Sequence, residues 1–231
     1  MSNIRKLFLV VFTFVIGLAV GIGVMTAGLG RWINLRAQEM RFTTAPHLLL
    51  TVPDLRQDTD YSCGASALQA VFAYWGIDIW ESSLRERLHS NPQDGTKPAE
   101  ILRVAREYGL RAEMREGLGI KDLRIAWEAA IPVIVDIQAW KEDPKQGPAW
   151  KSNWEDGHYV VLIGMDERNI YVEDPSLLGS RGIIPQQEFL ERWHDYEGDP
   201  PYDSKDRAFI HMGLFIEGTI KSNAVTFSPL Q

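Results

Sequence analysis

Between Leu7 and Gly30 the chain runs 24 residues without a charge, dominated by Leu, Val, Ile, Phe, Gly and Ala. At about 1.5 Å per residue, a helix of this run crosses the roughly 30 Å hydrocarbon core of a bilayer with some tilt. A cleaved signal peptide carries a shorter apolar region of about 7–15 residues, so the pattern predicts an uncleaved anchor over residues 1–31. Arg5 and Lys6 flank one end of the run, and Arg31, Arg36 and Arg41 the other, so charge alone does not choose an orientation. An N-terminal anchor usually enters with its short tail inside. The expectation is therefore a single-pass membrane protein with its soluble domain on the extracytoplasmic side. Residues 32–47 read as a tether, 48–218 as the folded domain, and 219–231, which lack periodicity, as a loose tail.

Within the domain the period changes once. Leu68, Val71, Phe72 and Trp75 repeat at helical spacing, and Gly76 follows as a stop. A second helix fits Trp80 to His89. A third starts at Thr96, read as an N-cap, carries Pro98 in its first turn, turns Ile101, Leu102 and Ala105 inward, and ends at Gly109. A short helix around Lys121 to Ala130 precedes Pro132. Strands follow. Val133 to Ile137 is a continuous apolar run. Tyr159 to Met165 and Ile170 to Glu173 flank the polar Asp166-Glu167-Arg168-Asn169, which predicts a hairpin. Phe189 to Trp193 reads as a short helix and Ala208 to Ile216 as one closing strand. Helices first and antiparallel strands later indicate an α+β domain.

Composition narrows the function. The formal net charge is −7, and residues 1–41 hold five basic residues against Glu39, so the remainder of the chain carries −11. An acidic domain with no basic run is a poor nucleic-acid binder, because that binding depends on neutralising phosphates. A single cysteine excludes an intramolecular disulfide framework and any multi-cysteine zinc site. His47, His89, His194 and His211 show no metal-ligand spacing, and no cofactor is expected.

That one cysteine sits where a nucleophile would. The reactive species is the thiolate, and a helix N-terminus favours it through unpaired backbone N–H groups and the helix dipole. Cys63 directly precedes the helical pattern, and Gly64 reads as leaving room for a substrate backbone. His158 opens the strand Tyr159 to Met165, and Asp174 closes the strand Ile170 to Glu173. If the two strands pair about the 166–169 turn, both residues meet at one sheet edge, where a carboxylate can orient an imidazole toward the sulfur. The Cys63 N–H can supply one oxyanion donor, and Gln57, in the loop before it, is the candidate for the second. Trp150 and Trp154, in the polar stretch 141–156, either roof a peptide groove or cap the core.

The string Arg56 to Leu68, R-Q-D-T-D-Y-S-C-G-A-S-A-L, resembles the cysteine box of the double-glycine (bacteriocin-processing) peptidase family. Gly157 to Gly164, G-H-Y-V-V-L-I-G, resembles its histidine box, and Asp174-Pro175 the Asp-Pro of the next strand. Gly95-Thr96, with the Glu100 to Gly109 helix, is similar to its middle segment. The resemblance spans about residues 48 to 217. It implies a papain-like fold with Cys63 as nucleophile, His158 as general base, Asp174 as orienter and Gln57 in the oxyanion hole. In the best-known members the domain is fused to an exporter ATPase and cuts leader peptides after two glycines. No G-x-x-x-x-G-K-[ST] motif occurs here, so the chain reads as a stand-alone, membrane-anchored relative without an ATP-binding motif.

The expected activity is hydrolysis of a peptide bond through a Cys63 thioester, on a leader or exported peptide, with an export system as the partner the resemblance implies. Two alternatives stand beside it. One is an acyl transferase or amidase on the same fold, since papain-like scaffolds host several acyl transfers. The other is a non-catalytic, membrane-tethered peptide-binding module.

Overall fold

The computed structural model describes residues 49–140, 149–177, 179–198 and 200–219. The expected anchor, tether and C-terminal tail from residue 220 onward lie outside them. Among the described residues no helix is long and apolar enough to cross a membrane.

Helix α1 (Cys63–Tyr74) is buried on nearly all sides, with Ala65, Ala67, Leu68, Ala70, Val71 and Phe72 withdrawn from solvent. Its first turn is built of small residues because neighbours press on it. A Cβ at Gly64 would stand 2.7 Å from Thr96 Cβ and 3.0 Å from the Tyr159 ring. The space expected there for a substrate backbone is filled by packing instead. The helix stops at Gly76, whose φ of +78° suits a residue without a Cβ. The indole N–H of Trp75 donates to Ile216 O at 3.0 Å and ties this end to the sheet.

Helices α2 (Glu81–Arg87) and α3 (Pro98–Glu107) complete this layer. The α3 cap is Lys97 rather than Thr96, with Pro98 in the first turn, where its missing N–H costs nothing. The Thr96 hydroxyl is instead paired with Ser90 Oγ at 2.7 Å, which closes the 90–96 loop onto α3.

Six antiparallel strands form the central sheet: β1 (Arg111–Arg115), β2 (Val133–Gln138), β3 (Gly157–Met165), β4 (Asn169–Glu173), β5 (Gly182–Pro185) and, from the chain's end, β8 (Gly213–Glu217). The spatial order is β1-β8-β2-β3-β4-β5, so β8 inserts between β1 and β2. Side chains alternate between two apolar layers. Ile134, Tyr159, Val161 and Leu214 face α1–α3. Val133, Val135, Val160 and Leu162 face α4 (Ile120–Glu128) and α5 (Gln186–Arg192), through Leu123, Ala126, Phe189 and Trp193. The run read as continuously apolar is interrupted by Asp136, and β2 is a strand buried on both faces.

The closing strand expected over Ala208 to Ile216 is two. The chain breaks at His211, whose φ is +50°. β7 (Arg207–Ile210) then pairs with β6 (His194–Glu197) in a separate two-stranded sheet, while β8 joins the main one. Trp193 holds the junction: it is fully buried, stacks on His211 at 4.9 Å, and donates from its indole to Met212 O at 2.7 Å. An apolar period of two carries no sign of such a switch between sheets. The periodicity reading also passed over β1, β5 and β6, each only four or five residues long.

Candidate active site

The loop before Cys63 is fixed by polar contacts. The Ser62 hydroxyl, fully buried, bonds both the N–H and the C=O of Thr59 at 3.0 Å. Glu81, at the start of α2, accepts from Asp58 N at 3.0 and 3.2 Å. These contacts deliver Cys63 to the first position of α1, at the end of the helix where backbone N–H groups lack intrahelical partners.

His158 and Asp174 arrive from neighbouring strands. The turn between them is closed by Asp166, whose Oδ1 accepts from Arg168 N at 2.7 Å and Asn169 N at 2.8 Å. Pairing starts with Met165 opposite Ile170 and Gly164 opposite Tyr171, then shifts, so that Leu162 faces Val172 and Val161 faces Glu173. Ile163 is the extra residue of a bulge. Continued without the shift, the register would set Asp174 opposite Val161, an odd step from His158 and hence on the other face. With the shift Asp174 falls level with Val160, two residues from His158 and on its face. His158 Nε2 and Asp174 Oδ1 are 2.7 Å apart. The expected meeting of the two residues is found, diagonally rather than directly across.

With Nε2 held by Asp174, Nδ1 is the ring nitrogen left for the Cys63 side chain, which is hydrogen-bonded to the imidazole. Burial pushes the thiol up. The hydrogen bond and charge of His158, with the backbone N–H groups of Tyr159 and Gly64, outweigh it, and the pKa falls below that of an ordinary thiol. Burial likewise opposes the imidazolium, but the Asp174 hydrogen bond and the Cys63 sulfur prevail and push His158 up to about 10. A thiol lowered and an imidazole raised by one another favour the thiolate–imidazolium pair over the neutral one. Trp140 covers the imidazole, its ring centroid 5.3 Å away.

Gln57 is part of the same network. Its Nε2 donates to Thr59 O at 2.7 Å, its Oε1 accepts from Ser176 Oγ at 3.1 Å, and its backbone N donates to Pro175 O at 2.9 Å. Ser176 N in turn donates to Asp174 Oδ1 at 2.9 Å. The Asp174-Pro175-Ser176 loop therefore positions both the carboxylate and the amide. Thr59 takes one of the two Nε2 hydrogens, which leaves the other free to donate.

A cavity of about 580 Å³ opens beside the sulfur, with Asp136, Trp154, Tyr159 and Asp195 among its walls. Trp154 lies flat on Tyr202 at 4.1 Å and against His194 at 4.4 Å, while Trp150 sits 3.6 Å under the Arg192 guanidinium. Of the two tryptophans read from the sequence, Trp154 reaches the cavity. The aromatic over His158 is Trp140, one residue before the polar stretch 141–156. Asp136 and Asp195 were missed altogether. The signal for Asp136 was a carboxylate inside the apolar run of β2; for Asp195, on a short strand, there was none. Among the described residues no cluster of His, Cys, Asp or Glu is placed to hold a metal ion.

The profile of the Peptidase C39-like family matches residues 49–200. The transport/processing ATP-binding protein ComA of Streptococcus pneumoniae is 26% identical over 132 residues, covering 57% of this chain and 16% of that protein. The matched region is thus a small part of that curated relative. A crystal structure of a C39-like peptidase from Bacillus anthracis superposes with a TM-score of 0.56 at 19% identity, covering 75% of this chain and 98% of that one. The peptidase domain of Streptococcus ComA gives 0.50 at 18%, covering 74% and 98%. At these identities the two structures speak for the fold.

Proposed function

The chain belongs to the Peptidase C39-like family, and from that premise we propose that it is a cysteine peptidase acting through Cys63, His158, Asp174 and Gln57. The observation that carries the reading is the coupled site: His158 held by Asp174 at 2.7 Å and hydrogen-bonded to a thiol whose pKa it lowers. The Cys63 thiolate attacks the scissile carbonyl. The oxyanion is held by the Cys63 N–H and the second Gln57 amide hydrogen, and imidazolium His158 protonates the departing amine. Neutral His158 then takes a proton from water, which hydrolyses the thioester and restores the thiolate. Asp174 keeps the ring in the tautomer and orientation both steps need. A leader or exported peptide is the substrate class this reading favours, supported by the transport/processing role in the name of the ComA relative.

The test is labelling of Cys63 with iodoacetamide from pH 4 to 10, beside a His158→Ala variant. The expected midpoint lies well below about 8.5 and returns to the ordinary range in the variant. A free-thiol titration in both proteins would leave the peptidase reading without its chemistry.

We also assign the uncharged run Leu7 to Gly30 to a membrane, with the domain on the extracytoplasmic side. Its support is length and composition. The full chain is expected to stay in the membrane pellet after an alkaline carbonate wash and to be digested by protease added from the extracytoplasmic side. Release by carbonate would overturn the anchor, and protection from the protease its orientation.

A further inference from the structure

The cavity beside Cys63 has an unusual floor. Asp136 is only 4% exposed, and its Oδ1 has no hydrogen-bond partner. Strand pairing sets it directly across from Tyr159, so both project toward the α1 side of the sheet, where the cavity lies. Asp195 comes from the separate β6–β7 sheet. Its carboxylate lies where a Cβ on residue 157 would be, so only glycine fits beside His158. Gln138 Nε2 donates to Asp195 Oδ1 at 3.2 Å.

The two carboxyls line the same cavity, close enough for the charge of Asp195 to disfavour ionisation of Asp136. Burial, then the charge of Asp195, raise Asp136 well above the usual carboxylate range, and burial pushes Asp195 up to about 6. Asp94, Glu155 and Glu197 add negative charge at the walls. Among the described residues Lys97 is the one basic group lining the cavity, and it is engaged with Glu197 at 3.2 Å.

A buried acid with a bare oxygen, set beside a second, half-buried carboxyl, is a poor arrangement for stability alone. Desolvation of Asp136 Oδ1 has no hydrogen bond to offset it, and apolar side chains would fill the space at lower cost. The arrangement becomes favourable when a cation enters. Both carboxyls then ionise against a positive partner in a sheltered site. We propose that this cavity is a specificity pocket for a cationic side chain, lysine or arginine, carried by the substrate close to the bond that Cys63 attacks. Because the sulfur opens into the same space, the cationic residue lies within a few residues of that bond, at about 3.3–3.6 Å of extended chain per residue. The proposal rests on the peptidase reading for its substrate, but the charge selectivity of the pocket does not.

Cys63 is the chain's one cysteine, so charged thiol reagents applied to the full protein report on this site alone. Methanethiosulfonates bearing a trimethylammonium, a methyl or a sulfonate group would be compared. The cationic reagent is expected to react at least about tenfold faster than the anionic one at low salt. The ratio should shrink toward one near 1 M salt, where the screening length is about 3 Å. It should fall in Asp195→Asn and in Asp136→Asn but not in Glu128→Gln, a remote exposed acid. Equal rates for the two charged reagents in the unmodified protein overturn the pocket whether or not the variants fold; so does a ratio that Glu128→Gln lowers as much as the pocket variants do. A second arm scans lysine, alanine and glutamate through a peptide substrate. One position at which lysine raises kcat/KM at least about tenfold, and does so less in Asp195→Asn, is the expected result. Cleavage indifferent to charge at every position overturns the pocket and leaves the peptidase standing. A charge-selective thiol in a protein that cleaves no peptide supports the pocket and removes the peptidase.

Discussion

At Cys63 two effects oppose each other. Withdrawal from water favours the neutral thiol, while the imidazole and two backbone N–H groups favour the thiolate, and the second group prevails. The same accounting at His158 depends on one further residue, since Asp174 gives the imidazolium its first compensation for burial. In Asp174→Asn that charge is gone, and the His158 pKa falls. Cleavage needs a protonated imidazole to release the amine, so the rate is lost as pH rises through the His158 pKa. The alkaline limb of the pH–rate profile, expected near 10 in the unmodified protein, should move to lower pH in the variant. An unmoved limb would show that Asp174 does not set the protonation of His158. Gly64 shows how a residue can be read correctly as special and for the wrong reason. Its missing side chain makes room for Thr96 and Tyr159, which brings α1 onto β3 closely enough for the sulfur and imidazole to meet.

At the scale of elements, the β3–β4 hairpin decides the most. Its turn, strands and polar ends were legible because alternation and turn chemistry are local. The Ile163 bulge was not, although it determines the face on which Asp174 emerges. The last residue of β4, Glu173, is fully buried, accepts from Leu55 N at 3.3 Å, and keeps one oxygen without a partner. Burial raises its pKa from 4.5 to about 8. Because the folded value lies above the unfolded one, its contribution to stability is complete below about pH 4.5 and is lost as pH rises through about 8. Glu173→Gln cannot ionise. The variant should therefore gain on the unmodified protein in urea midpoint between pH 5 and pH 9. A constant difference between the two across that range would show that Glu173 titrates normally.

The domain joins two apolar layers through a sheet in which β8, from the end of the chain, lies between β1 and β2. Trp193 stands where α5, β6 and β8 converge, packed on Phe189 and His211. Trp193→Ala is expected to cost about 3–5 kcal/mol in urea unfolding and to loosen the small sheet that carries Asp195. A loss under about 1 kcal/mol would mean that the junction is held elsewhere. The helices of the first layer, strand β2, the hairpin, and the candidates Cys63, His158, Asp174 and Gln57 were legible along the chain, because each leaves a local mark: a period, a turn or a short string. Tertiary structure alone decided the splitting of the final strand at His211, the placing of β8 inside the sheet, the bulge that turns Asp174 toward His158, and the meeting of Asp136 with Asp195. Each of these depends on pairing between segments distant along the chain, and pairing of that kind is set by competition among all available partners rather than by the residues of any one segment.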